Sequence, residues 1–299
     1  MLKREKFTIK QFNEKYHNDD ACLHDVFLNR YKTLKNCPEC QYKFSYHKVS
    51  DRKCYACASC GHQLHPLANT IFHKSSTSLK NWFYSMFLFS TSKNGVSAKE
   101  LERQLGVTYK TAWRMAYQIR KLFDENVGLL TNIVEADETY IGGKESNKHK
   151  DKKTPNNQGR STKTKTPILG AVERKGNIVA KVVSNTTSST IKPFLREYVH
   201  IKAALKTDEY KGYKPMKKAG YEDHETIDHS KGVYVRGLAH TNNLEGFWSQ
   251  LKRSIHGTYH FVSSKHLQAY VNEFSYRYNK RNENLSIFNT MIAKAQMPF

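Results

Sequence analysis

The stretch NIVEADETYIGG (residues 132–143) sets three acids among apolar residues and closes on a glycine pair. Its β-branched and apolar content, bounded by glycines, predicts a strand. Side chains alternate along a strand, so Glu135 and Asp137 share one face and Glu138 points to the other. The chain carries 49 Lys and Arg against 27 Asp and Glu, a net charge of +22. Carboxylates held in an apolar strand of so basic a chain call for a role. Each, taken singly, also reads as a solvated acid or an ion-pair partner for the lysines.

Downstream, residues 144–166 hold eight Lys or Arg and two acids, with few apolar residues. This basic loop either lies along phosphates or is merely solvated. PILGAVERKGNIVAKVVS contains two β-rich runs around a Lys-Gly-Asn turn, a hairpin signal. SSTIKPFLREYVH suits a helix, AALKTDEY a strand ending at Asp208, YEDHETIDH another short strand, and two helices follow. That order predicts a mixed α/β sheet with helices packed on it. The first and fourth strands can be neighbours, with a late helix over their ends. Asp137, Asp208 and Glu245 could then converge, and three carboxylates suit two divalent cations such as Mg²⁺ or Mn²⁺.

Glu245 lies in HTNNLEGFWSQLKR (residues 240–253). Helical spacing of three, seven and ten puts Asn242, Glu245 and Lys252 in one row. Phe247, Trp248 and Leu251 supply the face that packs on the sheet. Asn243 falls on another part of the helix and reads as a surface residue. His240, just before it, either assists the chemistry or caps the helix.

The front of the chain has another composition. Cys37 and Cys40 form one C-x-x-C, Cys57 and Cys60 a second, sixteen residues apart. Two such turns facing each other supply a tetrahedral Cys₄ site for structural Zn²⁺. Cys54 and Cys57 offer a competing C-x-x-C, with His62 and His65 close by; Gly61 after CASC favours the Cys57–Cys60 turn. Next, Ser97 and Glu100 suggest a capping box opening a helix that Gly106 ends. Thr108 caps a second helix with Tyr109, Lys110, Thr111, Arg114 and Gln118 outward. The pair reads as a helix-turn-helix, or as an αα-hairpin of a bundle. The most apolar stretch, NWFYSMFLF (residues 81–89), is about half the length a bilayer span needs. No membrane partner and a cytoplasmic, nucleoid-associated location are expected, and the clustered cysteines favour metal over disulfides. The charge, with 18 Tyr and 15 Phe, favours nucleic acid as partner.

These residues carry a resemblance. Asp137, Asp208 and Glu245 stand 71 and 37 positions apart, with Lys252 seven beyond. The pattern resembles the DDE transposases and integrases of the ribonuclease-H-like superfamily. EADETYIGGK, GRSTKTKTPILGAVERKG, TDEYKGY, GLAHTNNLEGFWSQLKRSIHGTYHFVSSKHLQAYVNEFSYRYNKR and the cysteine cluster before NTIFHKSSTSLKNW are similar to one bacterial insertion-sequence transposase family with an N-terminal zinc ribbon. The likeness runs from about Cys37 to about Arg281. It implies a ribonuclease-H-like mixed sheet with flanking helices, preceded by a zinc ribbon and a helix-turn-helix. The implied division is 1–75 lead-in and ribbon, 76–128 helix-turn-helix, and 129–299 catalytic domain. It further implies that Asp137 and Asp208 bind Mg²⁺ or Mn²⁺, with either Glu245 or Asn242 as third ligand. Glu245 is preferred because a carboxylate suits a hard cation better. Lys252 and Arg253 would contact DNA near the cleaved bond, and Lys110 and Arg114 would contact the element's terminal inverted repeats. The expected activity is cleavage at those repeats and strand transfer to target DNA by a homodimer or higher oligomer. A catalytically inactive DNA-binding regulator and a stand-alone nuclease are the alternatives.

Overall fold

A computed structural model describes residues 7–143, 148–155, 161–227, 242–283 and 286–297. The chain forms two compact units, one of residues 1–122 with 283–299 and one of residues 123–282. Among the described residues no helix is long and apolar enough to cross a membrane. His240 and parts of the basic loop lie outside the described residues.

The first unit opens with helices α1 (Ile9–Lys15) and α2 (Asp19–Tyr31). Short antiparallel strands β1 (Tyr46–Lys48), β2 (Tyr55–Cys57) and β3 (Gln63–Leu64) follow. This ribbon is too small for a core of its own, and α2 supplies one: the Phe27 ring stacks on Tyr55 at 3.8 Å. Helix α3 (Leu79–Thr91) buries Trp82, Phe83, Met86 and Phe89.

Helices α4 (Ala98–Leu105) and α5 (Tyr109–Lys121) come next, joined by a short turn. Gly106 ends α4 at φ +64°, a left-handed conformation that favours glycine. Ser97 caps α4 by accepting from the Glu100 N–H at 3.1 Å. The reciprocal half of the expected capping box does not form, because the Glu100 carboxylate is engaged by Arg103 at 2.7 Å and by Gln104.

The second unit contains β4 (Ile133–Gly142), β5 (Lys165–Glu173), β6 (Ile178–Val182), α6 (Ser188–Tyr198), β7 (Ala204–Asp208), β8 (His224–Ile227), α7 (Asn242–Ser254) and α8 (Ser264–Asn279). Helix α9 (Ile287–Ala295) returns to the first unit. The division at 129–299 therefore fails at its end. Ile287, Phe288 and Met291 are buried, and Phe288 meets Phe12 and Phe87 in the aromatic core of the first unit.

The sheet order is β6-β5-β4-β7-β8. β4, β5 and β6 are antiparallel neighbours, while β7 and β8 run parallel to β4. This is the expected ribonuclease-H-like mixed sheet. Val134, Ala136, Leu169 and Ala171 pack with α6 residues Ile191 and Leu195 on one face. Ile141, Ile168, Val172 and Ala180 pack on the other with Leu244, Trp248 and Leu251 of α7 and Leu267 and Val271 of α8. The odd-numbered β4 residues thus face α7, and the even-numbered ones face α6.

Candidate active site and metal centres

The pairing of β4 with β7 ends at Ala136 opposite Thr207, so Asp137 and Asp208 stand side by side just beyond it. Carboxylate oxygens of Asp137, Glu138 and Asp208 lie within 4.8 Å of one another. Strand parity assigns Glu138 to the opposite face, yet its carboxylate joins the other two. Parity fixes the direction of Cβ, not the end of a long side chain. On the α6 face the Tyr213 ring is buried, and burial and the charges of Glu138, Asp137 and Asp208 push its ionisation far up.

Asp137 is held from the other side. The Trp248 indole N–H donates to its Oδ2 at 3.1 Å. Burial, then the neighbouring charge of Asp208, pushes the Asp137 carboxyl up to about 6. Trp248 reaches this position because Gly170 lies opposite Asp137 in the sheet. A Cβ on Gly170 would come within 2.5 Å of the indole ring. Asp208 accepts the backbone N–H of Tyr210 at 3.0 Å.

Glu245, in the first turn of α7, stands outside the 4.8 Å group but lines the same cleft. That cleft, about 670 Å³, is also lined by Asp137, Glu138, Trp248, Lys252, Arg253 and His256. Burial lowers the Lys252 ammonium from its ordinary range, while the charge of Asp137 acts the other way. Asn242 is exposed at the first residue of α7 and is not among the cleft residues. The fold therefore brings together Asp137 and Asp208, adds Glu138, and sets Glu245, Lys252 and Arg253 beside them.

Glu135 is fully buried on the α7 face. Its Oε1 pairs with Arg174 Nε at 2.8 Å and accepts from the Asn243 side chain at 2.8 Å. Its Oε2 accepts the backbone N–H groups of Asn243 at 3.0 Å and Leu244 at 3.3 Å. Asn243 is exposed, as read from the sequence, but its amide is tied to this carboxylate. The glutamate two residues before Asp137 was the available signal.

In the ribbon, the Sγ atoms of Cys37, Cys40, Cys57 and Cys60 lie within 4.8 Å of one another. Cys37 and Cys60 are 3.7 Å apart, and Cys40 and Cys57 3.9 Å. A tetrahedral zinc with Zn–S bonds of about 2.3 Å has edges of about 3.8 Å, so the donor set fits Zn²⁺. Cys54 stays outside and donates to Gln63 at 3.6 Å, which resolves the competing spacing. Burial opposes ionisation of Cys37, yet backbone N–H groups at Cys40 and Glu39 and the Tyr46 hydroxyl, 3.1 Å away, hold its thiol down at about 6.

On α5, Lys110 and Arg114 are exposed, as expected. So are Tyr109 and Trp113, and the Trp113 ring stacks on Tyr117 at 5.4 Å. The repeat of aromatics at 109, 113 and 117 was readable as one helical ridge.

With this geometry in place, the profile of the ISXO2-like transposase domain matches residues 129–279, about half the chain. The chain belongs to this family. It is 24% identical over 259 residues to the "uncharacterized protein in transposable element ISH50" of Halobacterium salinarum, a match covering 83% of this chain and 86% of that protein. It is 26% identical over 105 residues to an "uncharacterized transposase-like protein" of Haemophilus influenzae, covering 35% of this chain and 83% of that one. The matched residues of the ISXO2-like transposase domain enclose the sheet, the acid cluster and the α7 cleft.

Proposed function

We propose that the protein is a DNA transposase that cleaves phosphodiester bonds at the ends of an insertion sequence and joins the freed 3′-hydroxyl to target DNA. The observation that carries this reading is the Asp137–Glu138–Asp208 cluster beside Lys252, inside an ISXO2-like transposase domain. Asp137, Asp208 and Glu245 would hold Mg²⁺ or Mn²⁺, with Glu138 a fourth oxygen donor and Asn242 the alternative third ligand. When bound, such ions neutralise phosphoryl charge and favour the attacking oxygen. The three clustered carboxylates repel one another when ionised, and the raised Asp137 carboxyl agrees with a site whose charge cations would relieve. Trp248 keeps Asp137 oriented through its N–H. Lys252 and Arg253 hold a DNA phosphate at the cleft, so the scissile bond lies over the acids.

The Cys₄ ribbon with Zn²⁺ and the α4–α5 pair would recognise the terminal inverted repeats, with Lys110 and Arg114 reaching the DNA. Two ends require at least a homodimer on DNA. The test uses the purified full chain, DNA carrying the element's ends, a supercoiled target and Mg²⁺ or Mn²⁺. Wild type should give cleaved ends and joined products. Asp208→Ala should give neither, while end binding persists. Cleavage that never leads to joining would make the protein a nuclease, and binding without cleavage a regulator.

A further inference from the structure

We infer that Glu135 is a positioning residue: its buried carboxylate is the peg that sets helix α7, and with it Glu245, against the strand that carries Asp137. This rests on the metal-site reading above. Glu135 and Asp137 lie two residues apart on one face of β4, and each is tied to α7. Glu135 takes the first-turn N–H groups of Asn243 and Leu244 and the Asn243 side chain. Asp137 takes the Trp248 indole N–H one turn later.

The free N–H groups of a helix start and its dipole both favour a carboxylate there. The desolvation of a fully buried charge is offset only by full pairing, which Arg174 and the three N–H donors from α7 supply. An apolar residue would bury α7 equally well but leave it free to slide or turn. Directed bonds to both Glu135 oxygens remove that freedom. Glu245 follows Asn243 by two residues and so inherits the register. Glu135→Gln preserves the shape but turns an N–H₂ toward groups that themselves donate, which breaks the peg.

The experiment measures Mn²⁺ binding to the purified full chain without DNA by electron paramagnetic resonance, well below the melting temperature set by circular dichroism. Wild type should bind Mn²⁺, and Asp137→Ala should lose that binding. Glu135→Gln should weaken it by about tenfold or more, the size of effect that outer partners of metal ligands have. Asn243→Ala, which leaves the Glu135–Arg174 pair, should give a smaller shift of the same sign. A purely structural role would lower the melting temperature and leave Mn²⁺ affinity alone. Unchanged affinity in folded Glu135→Gln overturns the inference; if that variant does not fold, unchanged affinity in Asn243→Ala does so. Wild-type Mn²⁺ binding that survives Asp137→Ala would instead sink the metal-site reading, and this inference with it.

Discussion

A single missing Cβ decides how the Asp137 side chain is held. Gly170 has ordinary backbone for a strand, and its role is spatial: the Trp248 ring occupies the volume a methyl would take. Gly170→Ala should displace Trp248 and cost about 1–3 kcal/mol, the usual price of overpacking. Urea unfolding should show the loss, and DNA cleavage should fall with it while end binding holds. Unchanged cleavage would show that the Trp248 hydrogen bond is dispensable. His224 makes a second point. Burial, aided by the charges of Lys217 and Lys206, lowers its pKa from 6.5 to about 4. It is paired with Thr207 at 2.9 Å. In the unfolded chain it takes a proton near its ordinary value; in the folded one it resists until about 4. It therefore contributes stability above pH 6.5 that is lost as pH falls toward 4. Unfolding free energies measured at pH 7.5 and 5 should differ less in His224→Gln than in wild type. Equal slopes would exclude the histidine as a source of acid sensitivity.

Strand β6 lies at the edge of the sheet, and α8 covers its open hydrogen-bonding side with amides. Asn279 accepts the Ile178 N–H at 2.8 Å and donates to its carbonyl at 3.1 Å. Gln268 accepts the Val182 N–H at 2.7 Å and donates to the Ala180 carbonyl at 3.1 Å. Two side chains thus stand in for a neighbouring strand, which blunts edge-to-edge association. Gln268→Ala should lower stability by about 1–3 kcal/mol, because it strands part-buried backbone groups. It should also raise concentration-dependent light scattering on heating. A variant as stable and as free of association as wild type would show that water satisfies the edge equally well. That a helix lies here was readable in the sequence. The polar positions that reach back to β6 were not, because helical periodicity says which face is inward and not which atoms lie under it.

The proposed zinc site lies in only one of the two units of the molecule. The ribbon's strands are two or three residues long, and its four thiols are its natural centre. A site of this kind couples zinc binding to folding. Stripping zinc with a chelator should release the four cysteines to thiol reagents and remove a melting transition, and added zinc should restore both. The unit of residues 123–282 contains no cysteine, so its transition should persist. Loss of both transitions on zinc removal would show that the units do not fold independently.

The ribbon, the α4–α5 pair and the strand order were readable because each rests on local rules: thiol spacing, a glycine stop, alternation of apolar residues. The juxtaposition of β4 and β7 followed from the order of strands and helices, and the register delivered Asp137 next to Asp208. Glu138 was misplaced because alternation governs Cβ and not a carboxylate three bonds away. Glu135 carried no local mark of its task. Its partners, Arg174, Asn243 and Leu244, are 39 to 109 positions distant. The return of α9 to the first unit was equally hidden, since an apolar helical face is complementary to many cores. Short-range chemistry dictates which elements form and which ligands can pair within a turn. Long-range packing chooses which faces meet, and here it alone set the Glu135 carboxylate against the first turn of α7.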